Sequence, residues 1–322
     1  MKTMRAWWQE LNVLVQLIVL ALVILAGLAI LPSALTKHFE NLFSNREKAL
    51  VIWILAFLAW GLSRREIAKS ILDVLRALFQ RKILIILAVM VLYIGFEVWL
   101  FHKIGLWKAN LMKDTVFWTF GTAFVYLVNT DQATEKQHFF KKIVLDSLKF
   151  ILILEFIINF YTFDLWIEII LVPLIFTLVG MRTVAETNKE YQPVKKATDT
   201  ILAVFGIAFL VFAMISFLGD PNAVATSDNL RMLILPPALT LTYLPFLYFL
   251  ALLMAYEILF VRIDIFLKGD KRIARFTKQK LLILCHVNLG KLNRFARENT
   301  QELRRLKDKN DVISMIQDFK NE

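Results

Sequence analysis

Apolar residues in this chain fall in long blocks separated by short charged stretches, and the blocks have the length of membrane-crossing helices rather than of the amphipathic helices of a soluble core. The clearest block, residues 11–31, is interrupted only by Asn12 and Gln16 and ends at Pro32. Others follow at 49–62, 83–101, 115–128, 150–163, 165–180, 201–218 and 232–261. The pattern predicts an all-α, polytopic membrane helical bundle of about eight transmembrane helices over residues 1–267, followed by a cytosolic helical tail over 268–322. Several blocks hold only about 14 to 16 residues, so they must thin the bilayer, extend through snorkelling ends, or be shielded inside the bundle.

Two connecting stretches keep a helical period. Residues 64–82 place Ile67, Ile71, Leu75, Leu78 and Phe79 on one face and Arg65, Lys69, Asp73, Arg76 and Arg81 elsewhere, the pattern of a helix lying on an anionic leaflet. Residues 102–114, with Lys103, Lys108 and Lys113 around Ile104, Leu106, Trp107 and Leu111, are expected to lie in the opposite interface. Pro236, Pro237 and Pro245 break the start of the last block, where Thr240, Thr242 and Tyr243 are placed to satisfy freed carbonyls, and Pro173 kinks the sixth.

Charge gives an independent reading of topology. With both termini cytoplasmic, 31 of the 38 Lys and Arg residues lie in inner segments, as the positive-inside bias requires. Reading 150–180 as one helix gives seven spans and puts two basic blocks on the wrong side, so a hairpin turning near Asp164 is expected. Composition agrees with a bilayer solvent: 58% of residues are hydrophobic and the mean hydropathy is +0.60. Much of the net charge of +11 restates the inner loops.

The tail carries the remaining charge and a second pattern. Leu282, Cys285, Leu289, Leu292, Ala296, Asn299, Leu303 and Leu306 recur at alternating three- and four-residue steps, the seam of a coiled coil through which a homo-oligomer assembles. The same spacing suits a tail packing on the inner loops of its own subunit. Arg275, Lys278, Lys291, Arg294, Arg297, Arg304 and Arg305 lie off the seam, a basic surface suited to phosphates, with Phe276 and Phe295 placed for stacking on bases. The ligand class is a nucleotide or single-stranded oligonucleotide, or else anionic lipid of the bilayer.

Within the apolar blocks the ion-path candidates are Glu155 and Asn159, one turn apart, with Glu168 and Glu97. The histidines, His38, His102, His138 and His286, have no metal-ligand spacing; no catalytic grouping or Gly-rich phosphate loop is present, and neither an enzyme, a metal nor a cofactor is expected. Cys285, the single cysteine, excludes an internal disulfide and is expected to be a reduced cytosolic thiol.

The eight blocks and the basic stretch from Lys268 to Lys309 give the chain an architecture that resembles the membrane effectors of bacterial anti-phage defence, including the Hailong-type channel effectors. That resemblance implies a multi-pass protein of the bacterial inner membrane, a pore controlled by a nucleic-acid signal, a partner enzyme that makes the nucleotide or DNA signal, and cell death or growth arrest on opening. It transfers no functional residue. An ion-coupled secondary transporter and a membrane scaffold or sensor without a pore remain the alternatives.

Overall fold

The computed structural model describes residues 43–135, 139–149, 156–158, 160–220, 226–267, 270–306 and 308–321. Among them the chain is helical throughout, with no strand. The helices are α1 (Asn45–Ser63), α2 (Arg65–Leu78), α3 (Arg81–Lys103), α4 (Met112–Trp118), α5 (Phe124–Val128), α6 (Gln132–Glu135), α7 (Phe139–Ser147), α8 (Leu165–Thr187), α9 (Gln192–Gly219), α10 (Ser227–Phe266), α11 (Lys271–Cys285), α12 (Leu289–Glu298) and α13 (Lys309–Asn321).

Four of these, α3, α8, α9 and α10, are long and apolar enough to cross a membrane. The other four expected blocks are not among these, for distinct reasons. Block 11–31 lies outside the described residues, as do residues 150–155 and 159 of block 150–163. Helix α1 has 19 residues but opens with Arg46, Glu47 and Lys48, and block 115–128 is divided into α4, a π-helical turn at Thr119–Ala123, and α5. The chain forms two compact units, one from Met1–Ala88 with Phe150–Leu233, the other from Val89–Lys149 with Ile234–Glu322, and the boundaries fall inside α3 and α10.

In the first unit α1 begins with a capping box, Ser44 Oγ accepting from the Glu47 N–H (3.3 Å) while the Ser44 N–H donates to Glu47 Oε2 (2.7 Å). Its buried Ile52, Trp53 and Ala56 pack on Ile169 and Val172 of α8, and Trp53 Nε1 donates to the Ile169 carbonyl (2.8 Å). Contacts advance together along the two helices, Arg46 to Glu168 and Phe57 to Phe176, so α1 and α8 run parallel. Helices α8 and α9 form an antiparallel hairpin through a short 3₁₀ turn at Lys189–Tyr191, with Pro193 in the first turn of α9, where its missing N–H costs nothing. Ion pairs Arg182–Asp199 and Glu186–Lys195 bridge the hairpin at matched distances from the turn. Outward residues such as Trp166, Ile170, Phe176 and Val184 remain exposed, the surface that lipid covers.

In the second unit α10 is the axis. Forty residues make a helix about 60 Å long, twice the roughly 30 Å hydrocarbon core, so about half of α10 must project beyond it. Leu235, Leu239, Tyr243 and Leu247, at four-residue steps, are fully buried along one half. Along the other, Ala251, Ala255, Leu259 and Ile263 share a core with the tail.

Residues 102–114 do not form the expected interfacial helix. The chain reverses there through Gly105, at φ 78°, and buries Trp107 and Leu111; Trp107 Nε1 donates to Thr115 Oγ1 (2.9 Å). Nor is the tail one helix with a continuous seam. It breaks at His286, φ 46°, and again after α12, so its helices fold into a small module. Leu281, Leu292, Phe295, Leu303, Val312 and Phe319 fill its centre. Of the proposed seam, Cys285, Leu289, Leu292, Asn299, Leu303 and Leu306 are buried inside this module, while Leu282 is exposed.

Candidate functional site

Glu97 sits on α3 about 9 Å of helix rise from Lys103, and it is 2% exposed. Among the described residues neither of its carboxyl oxygens has a hydrogen-bond partner, and the buried hydroxyl of Tyr243 has none either. Thr242 lies beside the carboxyl, but its hydroxyl donates back to the Ala238 carbonyl (3.0 Å). No cation compensates Glu97 among the described residues. Burying a carboxylate without one in a water-poor bundle is costly, so the charged form calls for a proton or a cation from solution.

The residues packed around Glu97 are aromatic and held in place by hydrogen bonds. Tyr93, one turn before Glu97, donates its hydroxyl to the Thr242 carbonyl (2.9 Å). Trp118 Nε1 donates to Thr240 Oγ1 (2.9 Å), which donates to the Pro236 carbonyl (2.8 Å). Tyr243 meets Trp118 edge-on at 5.6 Å and stacks on Phe246 at 5.1 Å. Trp118 immediately precedes the π-helical turn, a local rewinding of the kind that re-aims side chains at functional positions. The threonines do not resatisfy the carbonyls freed by proline. They cap ordinary carbonyls four residues back, a bond that bends helices, next to three prolines that also weaken α10.

The remaining ion-path candidates separate. Glu155 and Asn159 lie outside the described residues. Glu168 is 1% exposed but fully paired: it accepts from Arg46 Nε (3.2 Å), Arg46 Nη2 (3.0 Å) and the Phe163 N–H (3.1 Å). Arg46 also donates to the Ile158 carbonyl (3.2 Å) and faces the Phe209 ring at 5.5 Å. This pair staples α1 to the non-helical stretch 161–164 that precedes α8. Sequence reasoning missed Arg46; its signal was a guanidinium at the very edge of a short apolar block.

The basic candidates of the tail do not form one open surface. Lys278 pairs with Asp264 (2.6 Å), Arg294 covers the Phe319 ring at 4.5 Å and Arg304 covers Phe266 at 4.6 Å. Arg275, Arg297 and Arg305 are exposed, and Lys291 is half-buried. Phe295 is fully buried in the module and cannot stack on a base; Phe276 is faced by Lys280 and Lys309, each 5.4 Å from its ring. Burial pushes the Cys285 thiol up to about 11. Among the described residues no three metal-binding side chains come together.

Comparison with protein-family models, with curated proteins and with solved structures finds no match to this chain.

Proposed function

We propose that this chain translocates a proton or a small cation across a membrane, that Glu97 is the group that takes up the ion, and that the tail controls the process. The observation that carries this reading is a buried carboxyl whose oxygens make no hydrogen bond, on a membrane-length helix, packed among aromatic side chains against a proline-containing helix. A purely structural carboxyl is expected to resemble Glu168, with its donors supplied. The same α10 that contributes Thr242 and Tyr243 continues into the tail, where Tyr256 donates to the His286 carbonyl (2.8 Å) and Tyr248 to the Val287 carbonyl (2.6 Å). A ligand that shifts the tail therefore acts on Glu97's surroundings through one continuous helix, with Pro245 as the bending point between them.

The topology belonging to this proposal has eight crossings. Parallel α1 and α8 require an odd number of crossings between them, and α3, the segment 112–128 and the segment ending at residue 160 supply three. The cytosolic ligand proposed is anionic, a nucleotide or oligonucleotide meeting Arg275, Arg297 and Arg305; assembly into an oligomer and the defence setting belong to the same proposal. An ion-coupled carrier is the second reading, favoured by the near-complete burial of Glu97.

The test is ion flux from proteoliposomes holding the purified full chain. Glu97→Gln keeps the side-chain shape, and it should lower flux roughly tenfold or more, about 1.4 kcal/mol of site free energy per decade, at unchanged expression and particle size. Equal flux from wild type and variant would remove Glu97 from the path, and the same assay on Glu155→Gln would then identify the alternative carboxyl.

A further inference from the structure

Helix α2 is amphipathic, yet it buries no residue in the protein. Ile67, Ile71, Val74, Leu75 and Leu78 share one face, while Arg65, Lys69 and Arg76 share the opposite face at the helical steps four and seven. Val74 and Leu75 remain exposed, and so does the adjoining Phe79. The helix meets α1 where Ile67 and Ile71 close on Gly61, at which an added Cβ would stand 3.3 Å from Ile67 Cγ2. Immediately after it, α3 enters as a membrane-length helix at Arg81. An apolar face left bare at the mouth of a spanning helix is covered by lipid, not by water.

The basic face does not simply point to solvent. With the end of α1 it bounds an open cleft of about 1220 Å³, bordered by the basic Arg64, Arg65, Lys69 and Arg76, the single acid Glu66, and apolar side chains that include Trp60, Leu62 and Leu72. Arg64 faces the Trp60 indole at 5.9 Å. Arg65 and Lys69 make no ion pair among the described residues, and the Arg76–Asp73 pair at 3.1 Å is exposed on both sides and so weakly held. Residues 64–82 hold six basic residues against two acidic ones.

From this juxtaposition we infer that the elbow between α1 and α2 is a binding site for the headgroup of an anionic phospholipid, with Arg65, Lys69 and Arg76 meeting the phosphate and the apolar face of α2 resting on the acyl region. The occupant is a lipid rather than a soluble phosphate because both halves of the helix need a partner: the cations an anion, the apolar face hydrocarbon. Trp60, at the end of α1, brings to the cleft an indole, a side chain enriched at membrane interfaces. Bound lipid thereby fixes α2 against the leaflet and sets where α3, the helix of Glu97, enters the bilayer.

The experiment uses the full chain in detergent, titrated with phosphatidylglycerol, with phosphatidylcholine of the same acyl chains, and with glycerol 3-phosphate, and counts retained lipid by native mass spectrometry. Wild type should retain phosphatidylglycerol in preference to phosphatidylcholine, and glycerol 3-phosphate should not displace it. Arg65→Gln, Lys69→Gln and Arg76→Gln combined should weaken retention roughly tenfold or more, since each basic residue near an anionic surface contributes measurably. These side chains are exposed, so the variant should keep wild-type size and melting behaviour. Val74→Asp, on the opposite face, should weaken retention with all cations in place. Equal retention of the two lipids, or retention unchanged in the triple variant, overturns the inference. Displacement by glycerol 3-phosphate overturns it too, in favour of a soluble anion site.

Discussion

Two buried glutamates in one chain have opposite surroundings. Glu168 accepts from both nitrogens of the Arg46 fork and from a backbone N–H, in a unit whose helices it ties together. Glu97 lies as deep with no charged donor among the described residues and only the Thr242 hydroxyl beside it, in a unit built around a helix weakened by three prolines. A fold that supplies a guanidinium to one buried carboxyl and none to the other gives the two acids different tasks under the proposed function. The paired acid has its ion built in. The unpaired acid must take one from solution.

The strongest way to break the comparison is to turn Glu168 into a second bare carboxyl. Arg46→Ala should cost about 3–5 kcal/mol, since it strands a buried charge, whereas Arg46→Leu with Glu168→Leu should recover most of that loss. Yield and thermal melting of the purified protein in detergent check this, and a double variant as unstable as the single one would assign the pair more than pairing. A smaller effect is expected at the far end of α10. Tyr256→Phe removes the bond to the His286 carbonyl, costs about 1 kcal/mol, and should raise the rate of protease cleavage at the α11–α12 turn. Ion flux should then respond to the tail less steeply, if α10 is the lever.

These contrasts show what could be read from the residues alone. Apolar blocks located α3, α8, α9 and α10 because hydrocarbon length is a one-dimensional property of sequence. Their ends were less legible: α9 starts at Gln192, well before block 201–218, because its polar first turns hydrogen-bond as helix without adding hydropathy. The tail seam misled for a related reason. Steps of three and four are the same for one long helix and for short helices folded on each other, and the break at His286 has neither glycine nor proline to announce it. Glu97 and Glu168 were both named as ion-path candidates, but what divides them is Arg46, 122 residues from Glu168 in sequence. Tyr93 and Tyr243 likewise acquire meaning only when α3 meets α10.

A smaller effect again concerns Cys285. Its folded value of about 11 lies above the ordinary thiol value near 8.5, so burial of the neutral thiol stabilises the tail fully below that lower value and the contribution is lost as pH rises toward 11. Native protein at pH 8 should react with a maleimide far more slowly than unfolded protein; equal rates would place Cys285 at the surface. The smallest stability effect is expected at Glu97 itself: Glu97→Gln should leave the melting temperature within the scatter of wild type while changing flux, the reverse of Arg46→Ala.

The central claim is that Glu97 exchanges an ion with solution and Glu168 does not. A hydrophobic carbodiimide tests it directly: a protonated carboxyl adds across the carbodiimide C=N bond, and the product rearranges to a stable N-acylurea that peptide mass spectrometry locates. With the purified full chain, the label should fall on Glu97 and not on Glu168, and loading the transported cation or raising the pH should protect Glu97 in step with the loss of flux inhibition. Labelling of Glu168 as readily as Glu97, or an unlabelled Glu97 in protein whose flux the reagent blocks, would contradict the account.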